Sequence, residues 1–452
     1  MSDPVLTAPA GERDAPKAPV SVAQGSALLF ASSVVRAAGF FVAALLLARG
    51  LGPAGRGSVA FITVTALVVA RIAKIGVGEA TSVFAAHRPA ARATLLANLV
   101  AFSLIAALVL GILLVGGLYV IEAEPAGNGR TQLVILLAAI LAASLVDDCF
   151  LVGCGRLREA AAISAGGGWV YVGSLVAAIA TVGLNVDSAL IAWIAAHLIW
   201  STMLAVVGAR TAGLGRPNMR LLAEAFRFGV RAWVGSVSLL LNARLDQILV
   251  GVIASEVTLG LYAVAVNVGE ILLFLPTAIA TSLLPAVARD RDLTSVERTL
   301  RTFRAATVLS VVSIIVAALL GDIAIPNVFG SEYRDSVAPF LWLLPGTLGY
   351  TALSIFSNSL LASKAPGWSS LGSVASLGLG FGLDLALIPS FGASGAAAAA
   401  SAAFLAGGAT VALLYRRRSN GFAWSEIVPT RQDVGFLRLV AARVLPRGRG
   451  AA

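Results

Sequence analysis

The sequence predicts an all-α integral membrane protein of about twelve transmembrane helices, arranged as two pseudo-symmetric six-helix bundles. Three observations carry this. Charged residues are 12% of the 452 and hydrophobic residues 58%, where soluble domains are about 25% charged. Apolar runs of the ~20-residue length that crosses a bilayer recur along nearly the whole chain. One long polar break, "ARTAGLGRPNMRLLAEAFRF" (209–228), leaves six such runs on either side.

In chain order the spans are expected at 26–48, 58–80, 95–121, 132–152, 161–183 and 188–208, then 229–253, 258–287, 304–325, 337–361, 368–389 and 392–415. Gly, Pro, Asn and charged residues punctuate them, as turn chemistry expects. The chain thus divides into an N-terminal tail (1–24), a first lobe (25–208), a linker (209–228), a second lobe (229–415) and a basic tail (416–452). Residues 1–24 lack the apolar core of a cleavable signal, so the first span is expected to remain as an anchor. The lobes share a weak likeness. Gly57 and Gly260 each open the second helix of their half, followed three residues on by Ala60 and Ala263. Two repeats about an axis along the membrane normal are an arrangement found in transporters.

Orientation follows from basic residues in the loops. With the N-terminus inside, 24 of the 33 Lys and Arg fall on inner segments and 4 (Arg49, Arg56, Arg130, Arg334) on outer loops. Both termini are therefore expected to be cytoplasmic. The formal charge of +10 is scattered over loops and tail, without the compact basic, aromatic-studded domain that nucleic acid requires. Cys149 and Cys154 are the only cysteines. They show neither metal-ligand nor disulfide spacing and read as free structural thiols. No phosphate-cradling Gly-Lys motif, nucleophile elbow or His–carboxylate cluster points to an enzyme. The Gly-rich "SAGGGWVYVG" falls in a span, where glycine lets helices approach closely.

Charges inside spans carry the functional signal, because one at mid-bilayer costs about 2.5–3.5 kcal/mol on insertion scales. Arg71, Lys74 and Gly78 share a helix face, and Arg36 lies one turn beyond Ser32 and Ser33. Arg36, Arg71 and Lys74 are read as lining a water-filled cationic cavity, with snorkelling to the interface as the alternative. In the seventh span Arg231, Gly235, Ser238, Asn242 and Asp246 form a polar stripe, with Arg244 and Gln247 on another face. Asn267, Glu270, Thr277 and Thr281 answer in the eighth. An Arg244–Glu270 ion pair holding two helices is one reading; ion coupling through Asp246 and Glu270 is the other. Asp147, Asp148 and Asp384 read as solvated helix ends, and His197, one turn after Trp193, as a hydrogen-bonded core histidine.

Four stretches then resemble a known family: "LLLARGLGPAGRGSVAFI" (45–62), "RLDQILVGVIASEVTLGLYAVAVNVGEILLFLPTAIATSLLPAVAR" (244–289), "IPNVFGSEYRDSVAPFLWLLPG" (325–346) and "LALIPSFGASGAAAAAS" (385–401). In this order and over twelve spans, they resemble the polysaccharide exporter, or Wzx-type oligosaccharide flippase, branch of the multidrug/oligosaccharidyl-lipid/polysaccharide superfamily. The resemblance implies a MATE-like V-shaped fold and alternating access. It implies a polyprenyl-diphosphate-linked oligosaccharide as cargo, flipped from inner to outer leaflet of a bacterial plasma membrane for surface polysaccharide assembly. Membrane lipids are expected as partners, with glycosyltransferases or a polymerase of the same pathway as further candidates. The substrate-binding candidates are then Arg36, Arg71, Lys74, Arg244 and Asn242, and the ion-coupling candidates Asp246 and Glu270, driven by an H⁺ or Na⁺ gradient. No other cofactor and no metal site is expected. The tail segment "VGFLRLVAARVL" is mildly amphipathic and reads as resting on the inner leaflet or as disordered. The alternatives are a small-molecule exporter of the same fold, which would want an acidic or apolar cavity, and a non-transporting scaffold for envelope synthesis.

Overall fold

The structure is a computed structural model that describes residues 22–120, 129–144, 148–289, 293–362, 366–419 and 421–430. Most of both predicted tails, the segment "VGFLRLVAARVL" and Asp147 lie outside the described residues, as do the surroundings of the Arg231 side chain. Among the described residues there is no β-strand. The first seven α-helices are α1 (Val22–Ala73), α2 (Val77–His87), α3 (Arg92–Val120), α4 (Gly129–Ser144), α5 (Cys149–Gly153), α6 (Leu157–Thr181) and α7 (Val186–Ala212). The rest are α8 (Met219–Ile253), α9 (Glu256–Arg289), α10 (Leu293–Phe329), α11 (Val337–Leu343), α12 (Gly346–Ala362) and α13 (Pro366–Arg418).

Nine helices among the described residues are long and apolar enough to cross a membrane, and the pair 331–343 with 346–362, bent by 48°, makes a tenth. Two of the nine, Leu28–Ala73 and Gly367–Arg418, run 46 and 52 residues. At 1.5 Å per residue each is about 70–80 Å long, more than twice a ~30 Å hydrocarbon core. Both break at a glycine with positive φ, Gly52 (65°) in α1 and Gly392 (53°) in α13, a conformation that costs other residues strain. Counting two arms for each gives twelve spans in the expected order.

Three boundaries differ from the sequence reading. The polar break at 209–228 is mostly helix: α7 runs to Ala212 and α8 starts at Met219. Asn218 caps α8 by accepting from the Arg220 and Leu221 amides, and the Asn98 side chain from α3 pairs with its backbone. The second span is interrupted at 74–76, where Ile75 and Gly76 both take positive φ. The reason is packing, because a Cβ on Gly76 would fall on the Gly229 carbonyl of α8, and one on Gly229 on that of Gly76. Finally, the start of the basic tail folds back. Phe422 is buried against Tyr415, and the Arg416 Nε donates to its carbonyl at 2.8 Å.

Outward faces are apolar, as lipid requires. Ile105 and Leu113 on α3 are each 65% exposed, and Leu319 on α10 72%. The largest core cluster joins the halves, packing Val59, Ile62 and Trp193 with Val250, Tyr262 and Val266. Contacts between the halves occur at both ends of the bundle. At the end that carries Gly52, Ser58 donates to Glu256 (2.9 Å) and Tyr333 to the Ala48 carbonyl (3.1 Å). There too, Arg49 donates to the Asn327 and Val328 carbonyls, both at 2.8 Å. At the other end Arg88 grips Glu224 with two hydrogen bonds, and Phe84 meets Phe228. One sequence reading holds in detail: His197 Nδ1 lies 3.0 Å from the Trp193 carbonyl.

Candidate functional site

Between the halves lies a cavity of ≈ 370 Å³, walled by α1, α6, α7, α8 and α9. Three arginines line it. Arg36 is carried inward by the first arm of α1, which lies against α6 where Gly39 and Gly168 let the two backbones touch. Its Nη1 donates to Ser164 Oγ at 3.0 Å. Arg244 on α8 pairs with Glu270 on α9 at 2.6 Å, with a second contact at 3.3 Å. Arg56, in the first helical turn after the Gly52 break, is 8% exposed.

The cavity wall holds buried polar atoms that no described protein group satisfies: Arg56 Nε, Tyr171 Oη and Asn267 Nδ2. Each offers a hydrogen. Leaving a buried donor unmet costs about 1–3 kcal/mol, and more when it is charged. With three arginines and one glutamate the wall carries a positive excess, and its open valences call for acceptors. An anion rich in oxygen satisfies both.

A second polar site lies deeper in the second half. The Tyr262 hydroxyl and the Gln247 amide both donate to the Asp246 carboxylate, the latter at 2.7 Å. Asn242 is held by the Ser373 carbonyl (2.7 Å) and Ser376 (2.9 Å). Asp384 faces them across a space of ≈ 10 Å³, about the room of one water molecule. Asp384 is 4% exposed and its Oδ1 has no partner. Two carboxylates around one small void suit a shared proton or a monovalent cation. Among the described residues no three His, Cys, Asp or Glu gather as a larger metal cluster would need.

A family model described as "Polysaccharide biosynthesis protein" matches residues 46–338. The chain belongs to that family. No curated protein matches it. Among solved structures, lipid II flippase MurJ in an inward closed conformation aligns with TM-score 0.71 at 14% identity, covering 95% of this chain and 93% of that one. An inward-facing multidrug resistance MATE family transporter of the MOP superfamily gives 0.62 at 13% identity, covering 87% and 98%. A MOP superfamily transporter from Pyrococcus furiosus, described as having a binding pocket of reverse polarity, gives 0.60 at 16%, covering 88% and 96%. The likeness is one of fold, and it makes this family member a multi-pass membrane protein of MATE-like architecture.

Of the residues singled out in the sequence, Arg36, Arg244 and Glu270 come together at the central cavity, and Asn242 and Asp246 at the second site. Arg71 and Lys74 do not line the central cavity. Arg71 pairs with Glu79 at 3.0 Å where α2 meets α8, its carbonyl accepts from Trp233 Nε1, and Ser236 donates to the same glutamate. Lys74 is buried at the break three residues on. Two residues are corrections. Arg56 was expected in an outer loop, but the Gly52 kink makes the turn so short that Arg56 is already helical. Asp384 was expected at a solvated end, yet it is buried beside Asp246. The signal for Asp384 was its place inside an apolar run, where a lone carboxylate is costly.

Proposed function

We propose that the protein flips a polyprenyl-diphosphate-linked oligosaccharide from the inner to the outer leaflet of a bacterial plasma membrane, by alternating access around the central cavity. The unmatched donors Arg56 Nε, Tyr171 Oη and Asn267 Nδ2 are the observation that carries this reading. A diphosphate supplies acceptor oxygens only, and it is the part of such a cargo least able to cross hydrocarbon. Arg36, Arg56 and Arg244 are its contacts, since the planar multi-donor head of arginine suits phosphate oxygens. Membrane lipids surround the apolar outer faces. The Gly52 end is the outer one, because the opposite end carries the arginine-rich connections, and both termini are then cytoplasmic. In the described conformation the halves meet at both the outer and the inner end.

Glu270 and the second site supply the coupling. Empty of cargo, Arg244 is neutralised by Glu270. A phosphate that takes over Arg244 leaves Glu270 without its partner. Asp246 and Asp384 hold a proton or Na⁺ that is released in one state and regained in the other. Arg71, gripped by Glu79 at the α2–α8 contact, belongs to the closure at the inner end, with Lys74 buried next to it.

A leaflet-resolved assay in proteoliposomes tests the reading. Lipid-linked glycans placed in one leaflet become accessible in the other with the wild-type protein, and Arg36→Ala or Arg56→Ala abolishes this while insertion persists. Uptake of small organic cations without any movement of the lipid-linked glycan would mark an exporter of the same fold. Movement of neither would mark a scaffold.

A further inference from the structure

A larger cavity of ≈ 820 Å³ lies between α8, α9, α12 and the first arm of α13, on the inner-end side of the second half. Its chemistry differs from that of the central cavity. Among the described residues no charged residue lines it, and its polar wall is made of hydroxyls and one amide, among them Thr277, Thr281, Tyr350, Ser354, Ser357 and Asn358. The hydroxyl hydrogens are largely spent on neighbouring backbone. Thr277 donates to the Leu273 carbonyl (2.7 Å), Thr281 to Thr277 (2.7 Å), Ser354 to Thr351 (3.2 Å) and Ser357 to Ser369 (3.4 Å). Each oxygen still has a lone pair to offer. The wall is therefore neutral and rich in acceptors, the reverse of the donor-rich, cationic central cavity.

We infer that this cavity is a saccharide subsite, which holds the uncharged, hydroxyl-bearing part of the cargo while the diphosphate occupies the central cavity. The inference rests on the flippase reading and assigns the other end of the same ligand. Sugar hydroxyls donate to the open lone pairs, the Asn358 amide can both give and accept, and the Tyr350 ring offers an aromatic face. The volume falls within the roughly 300–1,000 Å³ of small-molecule pockets. Spacing agrees as well. Glu270 of the central cavity and Thr277 of this one lie seven residues apart on α9, about 10 Å along its axis. Arg244 and Ser236 are eight apart on α8. An anionic ligand would find no cation among the described lining residues, and an acyl chain would leave the acceptors unmet.

The experiment compares farnesyl diphosphate with farnesyl-diphosphate-linked neutral monosaccharides (glucose, galactose, N-acetylglucosamine, rhamnose) for binding to the purified full-length protein. Saturation-transfer NMR with the free neutral disaccharides reads the cavity independently of the diphosphate. At least one sugar is expected to tighten binding about tenfold, the yield of one or two net hydrogen bonds. That gain, and the saturation-transfer signal, are lost in Asn358→Leu/Thr281→Val, while sugarless farnesyl diphosphate binds as before. Ser354→Ala, which removes only one hydroxyl, reduces the gain and guards against misfolding of the double variant. Equal affinity for every sugar-bearing and sugarless compound, or a gain that survives all the variants, overturns the inference. Tighter binding of farnesol to Asn358→Leu/Thr281→Val, with no sugar effect, identifies a lipid-tail groove instead. Failure of farnesyl diphosphate to bind wild type tells against the diphosphate site; the disaccharide signal and its loss then still decide the saccharide subsite.

Discussion

Gly57 and Gly260 meet backbone to backbone across the two halves of the molecule. A Cβ on Gly57 would fall on the Glu256 carbonyl oxygen, and one on Gly260 on that of Pro53. The two glycines occupy equivalent places in the repeats, so the contact is reciprocal. It brings α1 and α9 together at the Gly52 end and aims Arg56, one residue before Gly57, into the cavity.

Closure at that end is thus expected to depend on hydrogen as the side chain. Gly57→Ala should cost about 1–3 kcal/mol, the usual range for overpacking, and should shift the population toward states open at the Gly52 end. Thiol cross-linking between Ser58→Cys and Glu256→Cys, whose native side chains are hydrogen-bonded, reads this. Its yield should fall in Gly57→Ala and in Gly260→Ala. Unchanged yield would mean that the contact does not hold the end shut.

The proposed orientation has a direct check on two exposed positions. In a background lacking Cys149 and Cys154, Val182→Cys at the Gly52 end should react with an impermeant maleimide on intact cells. Leu214→Cys, between α7 and α8, should react only after permeabilisation. The reverse pattern would invert the molecule and the direction of transport with it.

Ion coupling separates by residue. Asp246→Asn and Asp384→Asn should each leave cargo binding within a few fold and remove the dependence of flipping on the ion gradient. Glu270→Gln should act differently, because Arg244 loses the carboxylate that neutralises it. Removing one partner of a buried pair costs about 3–5 kcal/mol, less here since both side chains are part-exposed. Thermal stability should drop while diphosphate binding strengthens. Gradient dependence that persists in all three variants would end the coupling scheme.

The inner end carries its own latch. Arg88, hydrogen-bonded to Glu224, holds that carboxylate below the ordinary glutamate range, and Glu224 in turn raises the Arg88 guanidinium. A depressed carboxylate stabilises the folded state above its unfolded pKa, and the contribution is lost as pH falls through the folded one. The melting-temperature difference between wild type and Glu224→Gln should therefore be present at neutral pH, shrink below about pH 4.3 and vanish in stronger acid. Both side chains are about half exposed, so the difference is small and should also fade in high salt. A difference independent of pH would assign Glu224 a packing role.

Much of this was legible in the sequence. Span length and order follow from hydropathy, and the Gly57/Gly260 register marked the likeness of the halves, while their contact shows only in the structure. Arg36, Arg244 and Glu270 stood out because charges inside apolar runs are expensive. Other features depend on three-dimensional facts that periodicity does not hold. Arg71 and Glu79 are eight residues apart, off the i, i+4 spacing of a continuous helix; the break at Ile75 and Gly76 brings them within 3.0 Å. Arg56 sits in "LGPAGRGS", which reads as a turn until Gly52 alone absorbs the reversal. The hydroxyl-rich cavity draws its lining from four helices far apart in the chain, so no single stretch announces it.

The central claim is that Arg56 donates to a diphosphate in the cavity between the halves. Its most direct measurement is the affinity of farnesyl diphosphate for purified wild type and for Arg56→Gln, with melting temperature recorded on both. Losing one partner of a buried charge-assisted contact costs about 2–5 kcal/mol, so binding should weaken about thirtyfold or more. The unliganded variant should be no less stable, since Arg56 forms no ion pair with any described residue. Unaltered affinity in a well-folded Arg56→Gln protein would contradict the account.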